Sequence, residues 1–202
     1  MGIDVNMRSP GRPRNERIES RVLEVVRALV IRQGYPSVTM AEIATTAGVA
    51  KQTLYRRWPS KAEVVLEAFL DSAAEADEIV YDGLAPTLTR FLIKLFGHLE
   101  RDGEAIRSLI ASAQADSKFL QQFRERFVKP REEALAAILS EAVATQELQA
   151  DIDTGTLSDM IHGAFWYRLL LGEPLDRSYA ERLSSIIVSG RIRAKHAVAP
   201  RT

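Results

Sequence analysis

The chain has 202 residues, 46% of them apolar and 27% charged, which is ordinary for a globular protein and long enough to bury a core. The absence of cysteine excludes disulfides and thiolate metal sites. No apolar run is long enough for a membrane span and the N-terminus has no secretory h-region, so a cytoplasmic protein is expected.

The zero net charge conceals an asymmetry. Residues 1–61 hold eleven Lys and Arg against five Asp and Glu, whereas residues 62–202 hold sixteen against twenty-two. A basic head on an acidic body points to a polyanionic partner for the head.

Taken in chain order, the apolar period is helical nearly throughout. In the arm at 1–14, Arg8, Arg12 and Arg14 surround Gly11 and Pro13. Such an extended, narrow, mobile segment can place an arginine in a minor groove. A first helix is expected over 15–33, stopped by Gly34. Thr39 to Glu42 has the capping-box pattern, opening a short helix to about Thr46. Ala47-Gly48 makes a tight turn, since Gly48 can adopt the left-handed backbone. The next helix carries Lys51 to Arg57 and is closed by Pro59; Ser60 to Glu63 is a second capping pattern, opening a helix to about Val80. Ile43, Val49 and Leu54 supply a core shared by two crossed helices, the logic of a helix-turn-helix unit.

Further on, Pro86 suits the first turn of a helix to about Arg101, with breaks expected at Asp102-Gly103 and near Asp116-Ser117. A helix over 117–145 should be interrupted at Lys129-Pro130, and final helices are expected over 153–172 and 176–194. The fold expected is all-α: an N-terminal three-helix helix-turn-helix domain (15–62), a C-terminal helical bundle (63–195) and a mobile tail (196–202).

The stretch TMAEIATTAGVAKQTLYRRWPSKAEVV, residues 39–65, resembles the DNA-binding signature of the TetR family of transcriptional regulators. Thr-x-x-x-Ile-Ala, Ala-Gly-Val, Thr-Leu-Tyr-x-x-Trp and Ser-Lys stand in the family's order and spacing, and YRLLLGEPLD at 167–176 resembles the end of a penultimate helix in one subgroup. The resemblance implies a DNA face of Lys51, Gln52, Thr53, Tyr55, Arg56 and Arg57, phosphate contacts from Thr39 and Lys61, and inward anchors at Leu54 and Trp58. The chemistry agrees. Lys51 or Arg56 can read guanine O6/N7 and Gln52 an adenine edge, while Tyr55 and Thr53 suit phosphates. Lys61, near a helix start, adds its charge to a positive end.

The resemblance also implies a body that dimerises and binds a small effector. Aromatic candidates for the effector site are Phe91, Phe96, Phe119, Phe123, Phe127 and Trp166, with polar handles at Gln114, Arg131, His162 and Tyr167. For the dimer, Leu157, Ile161, Gly163, Ala164, Leu183, Ile186, Ile187 and Gly190 supply an apolar face with close-approach positions. No His or carboxylate spacing makes a metal site, no cofactor is implied, and no nucleophile–base pair or phosphate loop suggests an enzyme. The expected function is a homodimeric repressor on a palindromic duplex operator, released by a small, largely apolar ligand.

Overall fold

The computed structural model describes the backbone of residues 12–70 and 80–190, and the side chains of 17–69 and 80–189. The described residues form helices throughout, in two compact units that divide between Ala68 and Phe69.

The head is built from α1 (Arg12–Ser37), α2 (Met40–Ala47), α3 (Lys51–Arg57) and α4 (Lys61–Leu70). Its core is the inward stripe of α1 (Val22, Val26, Leu29, Val30) with Ile43, Ala44 and Ala47 of α2, Leu54 of α3 and Val64, Val65 and Leu66 of α4. Gly34 breaks α1 with a left-handed φ of 75°, and a further turn carries the element to Ser37 beyond the expected stop. Thr39 caps α2 through its hydroxyl, which accepts the Glu42 N–H at 3.2 Å. The Glu42 carboxylate, expected to return to the cap amide, takes the Gln33 amide at 2.8 Å and lies 3.5 Å from Arg32 instead.

Gly48 ends α2 in the left-handed conformation (φ 66°, ψ 37°). Its N–H and that of Val49 return to the carbonyls of Thr45 (3.2 Å) and Ala44 (2.9 Å), a Schellman closure that satisfies two carbonyls and turns the chain into α3.

In the body, α5 (Leu84–Ala115) is followed by α6 (Ser117–Phe123), a π-turn (Arg124–Val128), α7 (Lys129–Ala144), α8 (Thr154–Leu171) and α9 (Arg177–Gly190). The break expected at Asp102-Gly103 does not occur: α5 runs unbroken for 32 residues, about 48 Å. Gly103 is a crossing point rather than a stop, because a Cβ there would meet Leu169 Cδ1 of α8 at 3.3 Å. Asp102 is buried beside Arg101 at 3.7 Å. The interruption near Pro130 does occur and takes the form of the π-turn, in which Lys129 N–H returns to the Arg124 carbonyl. Proline brings no N–H to the ladder, and a widened turn just before it absorbs the misfit.

Two long-range clasps hold the bundle. Glu147 beyond α7 accepts the Leu84 N–H at 3.0 Å and the Tyr81 hydroxyl at 2.7 Å, capping α5 from the far side of the sequence. Phe96 of α5 stacks on Tyr179 of α9 at 5.7 Å and meets the edge of Phe165 of α8 at 5.9 Å.

Candidate nucleic-acid interface

The surface that α3 presents follows from its two anchors. Leu54 and Trp58 are 1% and 3% exposed, and four residues apart they lie on one face of the helix. That placement turns Lys51, Gln52, Tyr55 and Arg56 outward; Tyr55 is 49% exposed. Thr53 is half-buried at the edge of the same face. Among the described residues no hydrogen bond or ion pair engages these five side chains, so their donors are available to a partner. α3 carries three cations and no acid, on an element narrow enough for a major groove.

Two expected contacts, Arg57 and Lys61, are engaged within the head itself. Arg57 is exposed, but its Nε donates to Glu19 of α1 at 3.1 Å and its Nη2 lies 3.7 Å from Glu67 of α4. The guanidinium also lies 5.6 Å from the Trp58 ring centre. Lys61 turns back on the head: its ammonium donates to the carbonyls of Tyr35 (2.9 Å) and Pro36 (3.3 Å) and sits 4.2 Å from the Tyr35 ring. Burial lowers its pKa. Lys61 therefore closes the end of α1, where carbonyls lack helical partners. Thr39 is exposed and already accepts a backbone N–H, which leaves its hydroxyl proton for a phosphate. The side chains of Arg12 and Arg14 lie outside the described residues.

In the body the sequence candidates divide. Gln114, Phe123 and Trp166 meet in one groove, about 310 Å³ in volume, together with Ile110, Leu120, Arg124 and Leu170. Phe96, Phe119 and Phe127 are core residues instead, and Phe91 is half-buried. Arg131 points inward, donating to the Phe127 carbonyl over the ring of that residue, and burial pulls its pKa down to about 10. His162 is buried, with Nδ1 2.9 Å from the Ser158 carbonyl and Nε2 without a partner among the described residues. Tyr167 stands 64% exposed, away from the groove.

The dimer candidates split as well. Ile161 and Leu183 are buried within their own chain, which corrects their expected place on an outer face. Leu157, Ala164 and Ile187 are half-buried, Gly163 and Ile186 are exposed, and the surroundings of Gly190 lie outside the described residues. The outward stripe of α8 is Met160, Gly163, Tyr167, Leu170 and Leu171. Its three- and four-residue spacing was readable in the sequence; the direction it faces was not. Arg124 and Leu120, which also line the groove, carry no such signal, because isolated surface residues have no pattern.

No group of metal-ligating side chains occurs among the described residues, and no helix there is long and apolar enough to cross a membrane. A capped helix, a glycine turn and a short, cation-bearing second helix anchored by two buried apolar side chains define a helix-turn-helix DNA-binding protein. Residues 22–68 match the family of bacterial regulatory proteins of the tetR type, and residues 82–187 match the tetracyclin repressor-like C-terminal domain. The chain belongs to the TetR family of DNA-binding transcriptional regulators; it is not an enzyme.

Among its relatives, the HTH-type transcriptional regulator YdeS of Bacillus subtilis is 32% identical over 182 residues, covering 86% of this chain and 89% of its own. The DNA-binding transcriptional repressor TetR of Mycobacteroides abscessus is 31% identical over 175 residues, covering 84% and 91%. Of solved structures, the TetR family transcription regulator SCO0332 superposes with a TM-score of 0.65 at 28% identity, over 91% of this chain and 99% of that one. FadR of Bacillus subtilis, solved with stearoyl-CoA, shares the fold at a TM-score of 0.69 and 19% identity, over 85% of this chain and 98% of its own.

Proposed function

We propose that the chain is a cytoplasmic homodimeric repressor that reads a palindromic duplex operator through α3 and releases it when a small, largely apolar effector occupies the body. The observation that carries the reading is the outward, unengaged set Lys51, Gln52, Tyr55 and Arg56 on a helix fixed by buried Leu54 and Trp58. Lys51 or Arg56 reads a guanine edge and Gln52 an adenine edge, each good bidentate pair discriminating by about 1–3 kcal/mol. Thr39, Thr53 and Tyr55 hold phosphates and set the register.

A second copy supplies the other half-site. The apolar outward stripe of α8, with exposed Ile186 on α9, supports a self-complementary interface, since apolar side chains grouped on an exposed face mark an interaction surface. Two recognition helices then fall about 34–36 Å apart, one turn of duplex. The groove at Gln114, Phe123 and Trp166 is the proposed effector site. Its volume falls at the lower end of the range for small-molecule pockets. The effector acts by favouring a conformer that fits the operator poorly, and a full switch needs about 5.5 kcal/mol of differential affinity.

Selecting duplexes from a random pool and titrating the winner against salt tests the DNA reading. A steep decline in affinity from counterion release is expected. A flat response, or a Lys51→Ala variant that keeps full discrimination between selected and random duplex, would count against it.

A further inference from the structure

The groove has a chemical bias of its own. Its floor is apolar, made by Ile110, Leu120, Phe123, Val128, Trp166 and Leu170, and no Asp or Glu lines it. Beside the Trp166 indole, its polar side chains are the Gln114 amide and the Arg124 guanidinium. Neither has a hydrogen-bond or ion-pair partner among the described residues. A second hollow of about 500 Å³ adjoins the first and shares Leu120 and Arg124 with it. That hollow is polar, and its other cation, Lys129, already lies 3.4 Å from Glu125.

Arg124 lines both the apolar hollow and the polar one, and of their two cations it is the one without an ion-pair partner among the described residues; the Glu132 carboxylate lines the second hollow only. Arg124 opens the π-turn Arg124–Val128, the same distortion that Pro130 imposes on the helix. Turns of this kind recur at functional sites.

We propose that this groove takes a small amphipathic molecule bearing one anionic group, its apolar body against Trp166 and Leu120 and its anion on Arg124. The inference rests on the reading of the groove as the effector site and adds the charge class of the occupant. A carboxylate or comparable anion meets a planar fork of donors, with Gln114 as a further donor. A cation of the same shape meets Arg124 as a like charge. A neutral molecule keeps the apolar contact and leaves the guanidinium to water. The affinity order is anion, then neutral, then cation. Because Arg124 is exposed, the preference of anion over neutral is about fivefold rather than a hundredfold.

Calorimetric titration of the full chain with decanoate, decanol and decylamine, each below its aggregation threshold and with no DNA present, tests the order. The wild-type chain is expected to bind decanoate about fivefold tighter than decanol, and decylamine least. Arg124→Gln should erase the preference and leave decanol affinity unchanged, whereas Lys129→Gln should keep the preference. Circular-dichroism melting confirms that both variants fold. No binding of any of the three, equal affinities in the wild type, or a preference that survives Arg124→Gln overturns the proposal. Operator affinity is then measured separately. Arg124-dependent decanoate binding that leaves duplex affinity unmoved upholds the anion site and overturns only the effector-release reading.

Discussion

Glu67 of α4 accepts the indole Nε1–H of Trp58 at 3.0 Å, and the other oxygen of the same carboxylate lies 3.7 Å from Arg57. One side chain of α4 thus holds the last residue of α3 and its C-cap: the buried anchor Trp58 by a charge-assisted hydrogen bond, the exposed cation Arg57 by an ion pair. With Glu19 of α1 on Arg57 from the other side, the recognition helix is tied to both helices that flank it. Its orientation depends on carboxylates as well as on apolar packing.

Replacing Glu67 separates those two ties. Glu67→Gln keeps an acceptor for Trp58 and loses the charge opposite Arg57, a partly exposed pair worth about 0–1 kcal/mol. Glu67→Leu leaves the buried indole N–H unsatisfied, which costs about 1–3 kcal/mol. Urea unfolding should therefore rank wild type above Glu67→Gln and Glu67→Leu last. Equal midpoints for the two variants would remove the indole bond from the account.

Arg56 and Arg57 are neighbours with opposite employment. Arg56→Gln should leave unfolding within about 0.5 kcal/mol of wild type. The same change should weaken binding to the selected duplex by about 1–3 kcal/mol and relax discrimination at the guanine position, and removing a cation from the DNA face should also flatten the salt slope. Arg57→Gln should instead lower stability slightly and leave the slope alone, because its charge is spent on Glu19 and Glu67. Leu54→Ala, with Leu54 1% exposed, should cost about 2–5 kcal/mol and lose duplex binding through unfolding of the head. A salt series on the three variants, read beside their urea curves, distinguishes contact from support.

Acid should loosen the start of α5. Arg90 grips Asp82 through Nη1 at 2.7 Å and Nη2 at 2.8 Å, and Thr87 donates to the same carboxylate at 2.9 Å. The Arg90 hydrogen bond, then that of Thr87, holds the pKa of Asp82 below its ordinary 3.8. A carboxyl lowered on folding contributes stability above its unfolded pKa, and that contribution is lost as pH falls through the folded value. Asp82→Asn should melt below wild type at neutral pH, with the gap closing as the pH drops beneath about 4. A gap independent of pH would show that packing, not charge, is at stake.

The outward stripe of α8 makes a sharp test of assembly. Tyr167→Glu places a charge on a residue that is 64% exposed in the single chain. The monomer fold should therefore be indifferent to it, while a self-complementary interface buries two such charges. Sedimentation should give a dimer for wild type and a monomer for the variant, with unchanged helicity. Ile161→Ala, at a position buried in its own chain, should do the reverse: lower stability by about 2–5 kcal/mol and leave the dimer in place.

The head was legible because its signals are local. A hydroxyl three residues before its amide, a glycine at a left-handed position and two apolar residues four apart each specify geometry within one turn of backbone. Thr39, Gly48, Leu54 and Trp58 took the places their spacing implies. All-helical character, the interruption before Pro130 and the end of α8 at Gly172 were determined in the same way.

Only the tertiary structure decided what depends on partners distant in sequence. Asp102-Gly103 reads locally as a stop, yet α5 continues through it, and the glycine serves the close approach of Leu169 of α8, which stands where a side chain would need space. Arg57 reads as one more cation of the recognition helix until Glu19, 38 positions away, reaches it. Lys61 reads as a phosphate ligand until the carbonyls at the end of α1 take its ammonium. Likewise, of three buried aromatic residues at equal spacing, Phe119, Phe123 and Phe127, Phe123 also lines the groove. Short-range hydrogen bonding fixes where a helix begins and ends, and a single apolar stripe marks its buried face. Where apolar or charged residues stand on more than one side, as on α8 and at Arg57, what packs against the helix settles which of them meets water.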